Sequence, residues 1–172
     1  MSNSMKNALL TLGALIFGGL VLVFMAVPNV SAGGTLGGTS GTLTEWSGFS
    51  FYENGTDFMK AMLVITAIIA CLVVILGVVK LITDSKLCKS KSIANIVSLL
   101  FKVMAIALLV SSVLYMIAVI TMCNDGSFDL GDFLPVSGGL SPVYWSIILM
   151  VVFALVSTGC ALFSGTTSKK KK

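Results

Sequence analysis

The fold of this chain is decided by apolar runs such as AMLVITAIIACLVVILGVVKLI, which occupies residues 61–82. A helix of about 20 residues, rising 1.5 Å per residue, crosses the ~30 Å hydrocarbon core of a bilayer. Three more runs of similar character lie at residues 8–27, 93–122 and 143–164. The sequence therefore predicts an all-α membrane protein, a single-domain bundle of four transmembrane helices.

Composition points to the same class. Of the 172 residues, 56% are hydrophobic and 10% are charged, and the mean hydropathy is +1.04. Such a chain has too little polar surface to cover a water-soluble globule. The remaining segments are then two outer loops at 28–60 and 123–142, an inner loop at 83–92 and a lysine tail at 165–172.

Lysines and acids lie on opposite sides of the predicted membrane. On one side Asp84 is the only acid among many lysines, whereas on the other Lys60 is the only lysine among many acids. Basic residues near the ends of spans are retained in the cytoplasm. We therefore expect an integral protein of the plasma (cytoplasmic) membrane, with both termini and the inner loop in the cytoplasm.

The first run also has features of a secretory signal peptide. Lys6 precedes it, and Val30-Ser31-Ala32 fits a cleavage site made of small residues. The run is longer than the 7–15 residues of a signal-peptide core, which favours retention as a transmembrane helix. Cleavage would leave three spans, and both alternatives stay open at the level of sequence.

A polar stripe enters the third run. Lys91, Asn95, Ser98 and Lys102 recur at helical spacing. One helix whose first turns lie at headgroup level explains the stripe, with the Lys102 ammonium reaching the lipid phosphates. The alternative is a lysine that lines a pore or pairs with a carboxylate, but the four runs contain no Asp, Glu or His. We expect Lys102 to be a lipid-facing anchor.

Other anchors are predicted at the membrane surfaces, where amphipathic rings contact headgroups and lysines contact anionic lipid. These are Tyr144, Trp145, Lys169, Lys170, Lys171 and Lys172.

The first outer loop opens with GGTLGGTSG at residues 33–41, for which we expect no fixed conformation. The next segment, TLTEWSGFSFY at 42–52, predicts a short strand or hairpin. After a turn, Asp57 is expected to cap the second helix. The aromatic residues of this loop form either a belt on lipid headgroups or a contact surface for a neighbouring molecule. They are Trp46, Phe49, Phe51 and Tyr52.

The second outer loop contains Asp125, Asp129 and Asp132, whose oxygens suit calcium. Their spacing lacks the ordered ligand positions and the terminal glutamate of an EF-hand loop. Acids also collect here because the charge asymmetry leaves the loop without lysine. We predict neither a metal site nor a cofactor, with these three aspartates as the candidates if a metal does bind.

Residues for catalysis are scarce. The sequence has no histidine and no arginine, so neither a Ser–His nor a Cys–His pair can form. The glycine-rich stretch lacks the Lys-Ser/Thr of a phosphate-binding loop, and the lysine tail is too short to indicate nucleic-acid binding. We predict that the protein is not an enzyme.

Contacts between copies have two candidate sources. Ala14 and Gly18 provide the small residues that close helix approach in membranes requires, within a chain or between chains. Cys123 is the cysteine expected to face outward, where it is free or bridges to a second copy. Together with the aromatic loop, these residues predict a homo-oligomer or association with another membrane protein.

The layout resembles the claudin-type tetraspan membrane proteins, with a longer first outer loop, a brief inner turn and a smaller second outer loop. Trp46-Ser47-Gly48-Phe49 is similar to that family's Trp-Gly-Leu-Trp segment, although the loop lacks the family's cysteine pair. Small bacterial tetraspan proteins with a Ser-Gly-Phe segment are also similar. The resemblance implies a structural or assembly role, through lateral oligomerisation or adhesion by the outer loops. The alternative function is a channel or small transporter subunit, which normally carries charges inside its spans.

Overall fold

The structure is a computed structural model that describes residues 3–36, 39–84, 91–125, 127–129 and 137–165. Each of its four long helices is long and apolar enough to cross a membrane. They are α1 (Asn3–Ala26), α2 (Asp57–Asp84), α3 (Lys91–Asp125) and α4 (Tyr144–Phe163). The predicted bundle of four membrane helices is confirmed.

The helices pack in the cyclic order α1–α2–α3–α4, each against two neighbours. Large apolar side chains fill the interior, and Val73, Leu108 and Met150 are fully buried there. Apolar side chains also cover the outside, where Ile75 and Leu155 are exposed. A helix that is apolar on all sides is typical of a membrane span, because lipid rather than water contacts its outer face.

The helices differ in length, and this shifts their ends. The 20 residues of α4 extend about 30 Å, whereas the 35 residues of α3 extend about 52 Å. The Thr158 hydroxyl of α4 donates to the Ala105 carbonyl of α3 at 2.7 Å, which sets their relative height. The first turns of α3 therefore project beyond the end of α4, on the side where Lys6, Lys80 and Lys102 lie. We call this side the lysine-rich end.

At the opposite end, called the sheet end, four antiparallel strands form one sheet in the order β2-β1-β4-β3. The strands come from both predicted outer loops, and β1 follows α1 directly while β4 leads into α4. They are β1 (Pro28–Leu36), β2 (Thr39–Ser47), β3 (Ser127–Asp129) and β4 (Ser137–Pro142). Residues 30–32, which fit a cleavage site, pair with β2 on one side and β4 on the other. Cleavage there would divide the central part of the sheet.

The structure corrects the expectation of no fixed conformation for residues 33–41. Within the described part of this segment, Gly33 and Gly34 lie in β1, and Gly41 lies in β2. Gly34 pairs with Gly41 on one side and Gly138 on the other. Glycine loses more backbone conformational entropy than other residues when it enters a strand. Hydrogen bonds to a strand on each side offset this loss, because they use backbone groups only.

The predicted short strand is present as β2, which covers residues 42–47 of the segment 42–52, but the predicted cap of α2 is wrong. The strand ends at Ser47, because a turn closed by Phe51 N–H donating to the Ser47 carbonyl at 3.0 Å reverses the chain, and a 3₁₀ turn follows. Thr56, not Asp57, caps α2, since the Met59 N–H donates to the Thr56 hydroxyl at 3.3 Å. Asp57 is instead the first helical residue, where its negative charge complements the helix dipole.

Candidate functional site: the two polar ends of the bundle

A buried polar network joins the sheet to the helices. Asn29, the second residue of β1, meets Ser146 of α4 and Tyr115 of α3, and all three are buried. The Ser146 hydroxyl has three acceptors within hydrogen-bond distance, which are the Pro28 carbonyl at 2.6 Å, Asn29 Oδ1 at 2.9 Å and the Val143 carbonyl at 2.9 Å. The Asn29 amide nitrogen lies 3.5 Å from the Tyr115 hydroxyl oxygen. The network connects three chain segments that are far apart in sequence.

Asn29 also completes the end of α1. Pro28 cannot continue a helix, so the last carbonyls of α1 lack partners within the helix. The Asn29 side-chain amide donates to the carbonyls of Phe24 at 3.3 Å and Met25 at 3.4 Å. The Asn29 carbonyl in turn accepts from the Val143 N–H at 2.9 Å, just before α4 begins. One residue thus orients the end of α1 and the start of α4.

Gly48 holds the first outer segment against the bundle. A Cβ atom at position 48 would clash with the Tyr115 hydroxyl and would lie 2.6 Å from Leu63 Cδ1. Only glycine permits this approach without rearrangement. Gly48, within the Trp46-Ser47-Gly48-Phe49 segment that resembles claudin-type proteins, is therefore packed directly on α2 and α3.

The aromatic cluster of the first outer loop divides into two sets. Trp46 packs on the buried Phe51, with 5.3 Å between ring centroids. Phe49 and Tyr52 are exposed, and the Lys60 ammonium lies 6.0 Å from the centre of the Tyr52 ring. Trp46 and Phe51 thus stabilise the loop itself, and Phe49 and Tyr52 remain on the surface. The predicted contact surface is smaller than the sequence indicates.

Strand β2 is the longer open edge of the sheet. Eight of its nine residues pair with β1 on one side, and none of the described strands pairs with its other side. A register shift between Ala32 and Gly33 places one extra β2 residue opposite β1. Thr42, Thr44 and Glu45 are exposed, and Glu45 is the only charged residue of the strand. An open edge offers backbone donors and acceptors to another strand.

The small residues of α1 pack inside the chain, contrary to a role for Gly18 between copies. Gly18 is buried, and a Cβ atom added to it as in alanine would lie 3.1 Å from Val73 Cγ1 and 3.4 Å from Ser157 Oγ. The Ser157 hydroxyl also donates to the Ala14 carbonyl at 2.8 Å. Ala14 and Gly18 therefore let α4 and α2 approach α1, so Gly18 packs within the chain rather than between copies.

Cys123 does not face outward as expected. Its side chain is 5% exposed because α3 continues past it to Asp125 and keeps it within the bundle. A disulfide requires two sulfurs about 2.05 Å apart, and a buried thiol cannot reach a second copy without local unfolding. Of the two alternatives for Cys123, the structure has the free thiol, and a bridge to a second copy would require local unfolding.

At the lysine-rich end, an ion pair within α2 belongs to a network that also includes the segment after α4 and the first turns of α1. Lys80 is fully buried and its ammonium lies 2.7 Å from Asp84 Oδ2, with the Asp84 side chain 14% exposed. The ammonium also lies 3.5 Å from the Gly165 carbonyl, and the Gly165 N–H donates to Asn7 Oδ1 at 3.3 Å. The second apolar run ends at residue 82, before Asp84, so this pair was not predicted from the sequence. Their i, i+4 spacing was the signal available.

The predicted lipid anchors lie in positions consistent with that role, which stays a prediction. Tyr144 and Trp145, at the start of α4, are 57% and 56% exposed. Lys102 is half-buried on α3. Residues 169–172 lie outside the part of the chain that the structure describes.

The candidate metal residues are only partly described. Asp125 ends α3 and Asp129 ends β3, but their side chains, like the whole of Asp132, are outside the description. Among the described residues, no group of three His, Cys, Asp or Glu side chains forms a possible metal site.

Comparison with known proteins assigns no family: no protein-family model matches the chain, and no curated protein does. The likeness to claudin-type proteins thus stays a resemblance of layout, and function has to be inferred from the two ends of the bundle.

Proposed function

We propose that this protein is a structural membrane protein that assembles laterally with copies of itself through the edge of its sheet. The open side of β2 is the observation that supports this most. Native sheets normally protect a long edge with charges, proline, a bulge or a covering element. β2 has one extra residue and a single charge, Glu45, and no described strand pairs with its open side.

A second copy is the partner that suits this edge best. Two identical edges can pair antiparallel about a two-fold axis, so that each strand meets the same strand of the other copy. Copies in one membrane share one orientation, which brings their sheets to the same height. Pairing would complete the hydrogen-bonding groups of both edges in a single contact.

The packed interior argues against a channel within one chain. Val73, Leu108, Tyr115 and Met150 fill the space between the helices and are fully buried. The Thr66 hydroxyl at this depth donates to the Ser111 carbonyl at 3.1 Å, whereas the buried Ser112 hydroxyl has no partner among the described residues. A pore between copies would use the outer helix faces, which are mainly apolar. This packing favours a structural role over transport.

The same proposal includes an orientation of the chain in the membrane, which the distribution of lysines and acids supports. The lysine-rich end would face the cytoplasm and the sheet would lie outside the plasma membrane, in keeping with retention of basic residues inside. Assembly through β2 would then occur at the outer surface of the cell.

Single cysteines at the sheet edge test the proposal. Thr42→Cys and Thr44→Cys are made separately in a chain whose four native cysteines are replaced. Oxidation in native membranes should give a dimer for at least one of them. Ser141→Cys is the matched control, because Ser141 is equally exposed but lies on β4, between β1 and β3. No dimer from either β2 position, or equal dimer from Ser141→Cys, would count against the proposal.

A further inference from the structure

Two lysines lie at similar heights in the bundle but have different surroundings. The Phe101 ring of α3 lies beside Gly77 of α2, 3.1 Å from the position that a Cβ atom would take there. Lys102 is the next residue of α3, and Lys80 is three residues beyond Gly77 in α2. The two lysines therefore differ in height by about one helical turn. Lys80 is neutralised by Asp84 at 2.7 Å. Lys102 has no ion pair within the described residues. Asp84 is also the only acidic side chain of the sequence on the lysine-rich side. No second acidic side chain of the sequence lies on this side to pair with Lys102, which makes an anion of the membrane a candidate counter-ion.

The height of Lys102 indicates where that counter-ion lies. The bond from Thr158 to the Ala105 carbonyl places these two residues level with each other. Lys102 is three residues below Ala105, and α4 ends at Phe163, five residues below Thr158. Lys102 thus lies within about 3 Å of the height at which α4 ends. Because α4 matches the ~30 Å thickness of the hydrocarbon, this is the boundary between acyl chains and phosphates.

The surroundings of Lys102 form a polar stripe between apolar side chains. Asn95 and Ser98 lie at helical spacing from it, and of these two Asn95 is exposed whereas Ser98 is buried. Val103 and Ile106, which follow Lys102 toward the bilayer centre, are also exposed. Since α3 projects beyond α4, Asn95 lies at headgroup height below Lys102. The stripe provides polar groups for a headgroup, and the apolar side chains beside it provide a surface for acyl chains.

We propose that Lys102 and Asn95 bind one anionic phospholipid in the leaflet at the lysine-rich end. The Lys102 ammonium pairs with the lipid phosphate, and the Asn95 amide hydrogen-bonds to the headgroup. An uncompensated ammonium at this boundary is unfavourable, and the phosphate is the anion that the membrane supplies there. A phospholipid also places acyl chains on Val103 and Ile106, which follow Lys102 toward the bilayer centre, and a free phosphate ion does not.

Native mass spectrometry of the full chain in detergent tests the site. The protein is titrated with phosphatidylglycerol or phosphatidylcholine in about 0.5 M ammonium acetate, where a Debye length below ~8 Å weakens surface attraction. The wild-type chain should bind one phosphatidylglycerol more tightly than phosphatidylcholine. Lys102→Gln should weaken phosphatidylglycerol binding roughly fivefold, the effect of one lysine near an anionic surface. Lys102→Arg should retain binding, since its guanidinium reaches the same height.

Lys6→Gln is the matched control, because Lys6 lies at the same end but is exposed. It should bind phosphatidylglycerol as the wild type does. Equal binding by wild type and Lys102→Gln, or equal affinity for both lipids, would overturn the site. Displacement of phosphatidylglycerol by inorganic phosphate would assign Lys102 to a free anion and overturn the lipid assignment.

Discussion

Gly48 and the Tyr115 hydroxyl are in such close contact that a Cβ atom at position 48 would clash with the oxygen. We expect Gly48→Ala to destabilise the protein by about 1–3 kcal/mol, the usual effect of overpacking. Thermal unfolding in detergent should show a lower Tm. Gly41→Ala is the matched control, because no atom lies within 4 Å of a Cβ there, and it should leave the Tm nearly unchanged.

Removing the hydroxyl tests the cause of that loss. The double variant Gly48→Ala/Tyr115→Phe should recover part of the stability lost in Gly48→Ala, because phenylalanine lacks the clashing oxygen. Strict additivity of the two single changes would show that the clash is not the cause.

The Asn29 network predicts a strong effect of a small polar change. Asn29→Ala removes the amide that binds the carbonyls of Phe24 and Met25 and leaves Tyr115 without that partner. The expected loss is about 1–3 kcal/mol, the cost of unsatisfied buried polar groups. Asn54→Ala, at an exposed position, should stay within about 0.5 kcal/mol of wild type in the same unfolding assay. Equal stability of the two variants would contradict the structural role of Asn29.

The Lys80–Asp84 pair predicts that two changes together are milder than one. Asp84→Leu leaves a fully buried ammonium without its carboxylate and should cost about 3–5 kcal/mol. Lys80→Met/Asp84→Leu removes both charges and should be close to wild type or more stable. Thermal unfolding of both variants measures this difference. A double variant as unstable as Asp84→Leu would mean that the pair itself, rather than an isolated charge, is needed.

Burial of Cys123 predicts a slow reaction with thiol reagents. A maleimide added to native membranes should leave Cys123 unmodified, as read by the mass of the chain, until the protein is unfolded. Thr44→Cys provides the comparison, because that position is exposed at the same end and should react rapidly. Rapid labelling of Cys123 in the folded chain would mean that the end of α3 opens readily.

The apolar runs predicted the four helices because a span in lipid needs an uninterrupted apolar length, which is a local property of sequence. The sheet was only partly predictable. Its central pairing joins Val30 to Pro142, and the contribution of Gly138 and Gly139 has no signature in side-chain pattern. Pairing between distant segments depends on the helices that bring them together.

The candidate site residues follow the same rule, because those set by local sequence were predictable and those set by packing between segments were not. Tyr144 and Trp145 are exposed at the start of their helix because position in a span is read locally. Gly18 and Cys123 were misassigned because a small or thiol side chain does not reveal which face of its helix is covered. The Asn29, Tyr115 and Ser146 network was missed because its members come from three separate segments.

The mass of the particle in native-lipid nanodiscs tests lateral assembly most directly. The chain has a mass of 18.0 kDa, and we predict particles that contain two or more copies. Thr42→Lys/Thr44→Lys should shift the particles to single chains, because lysines at an edge strand oppose pairing. Ser141→Lys on β4 should leave the mass unchanged. Single 18.0 kDa chains for the wild type across native-lipid preparations would contradict assembly through β2.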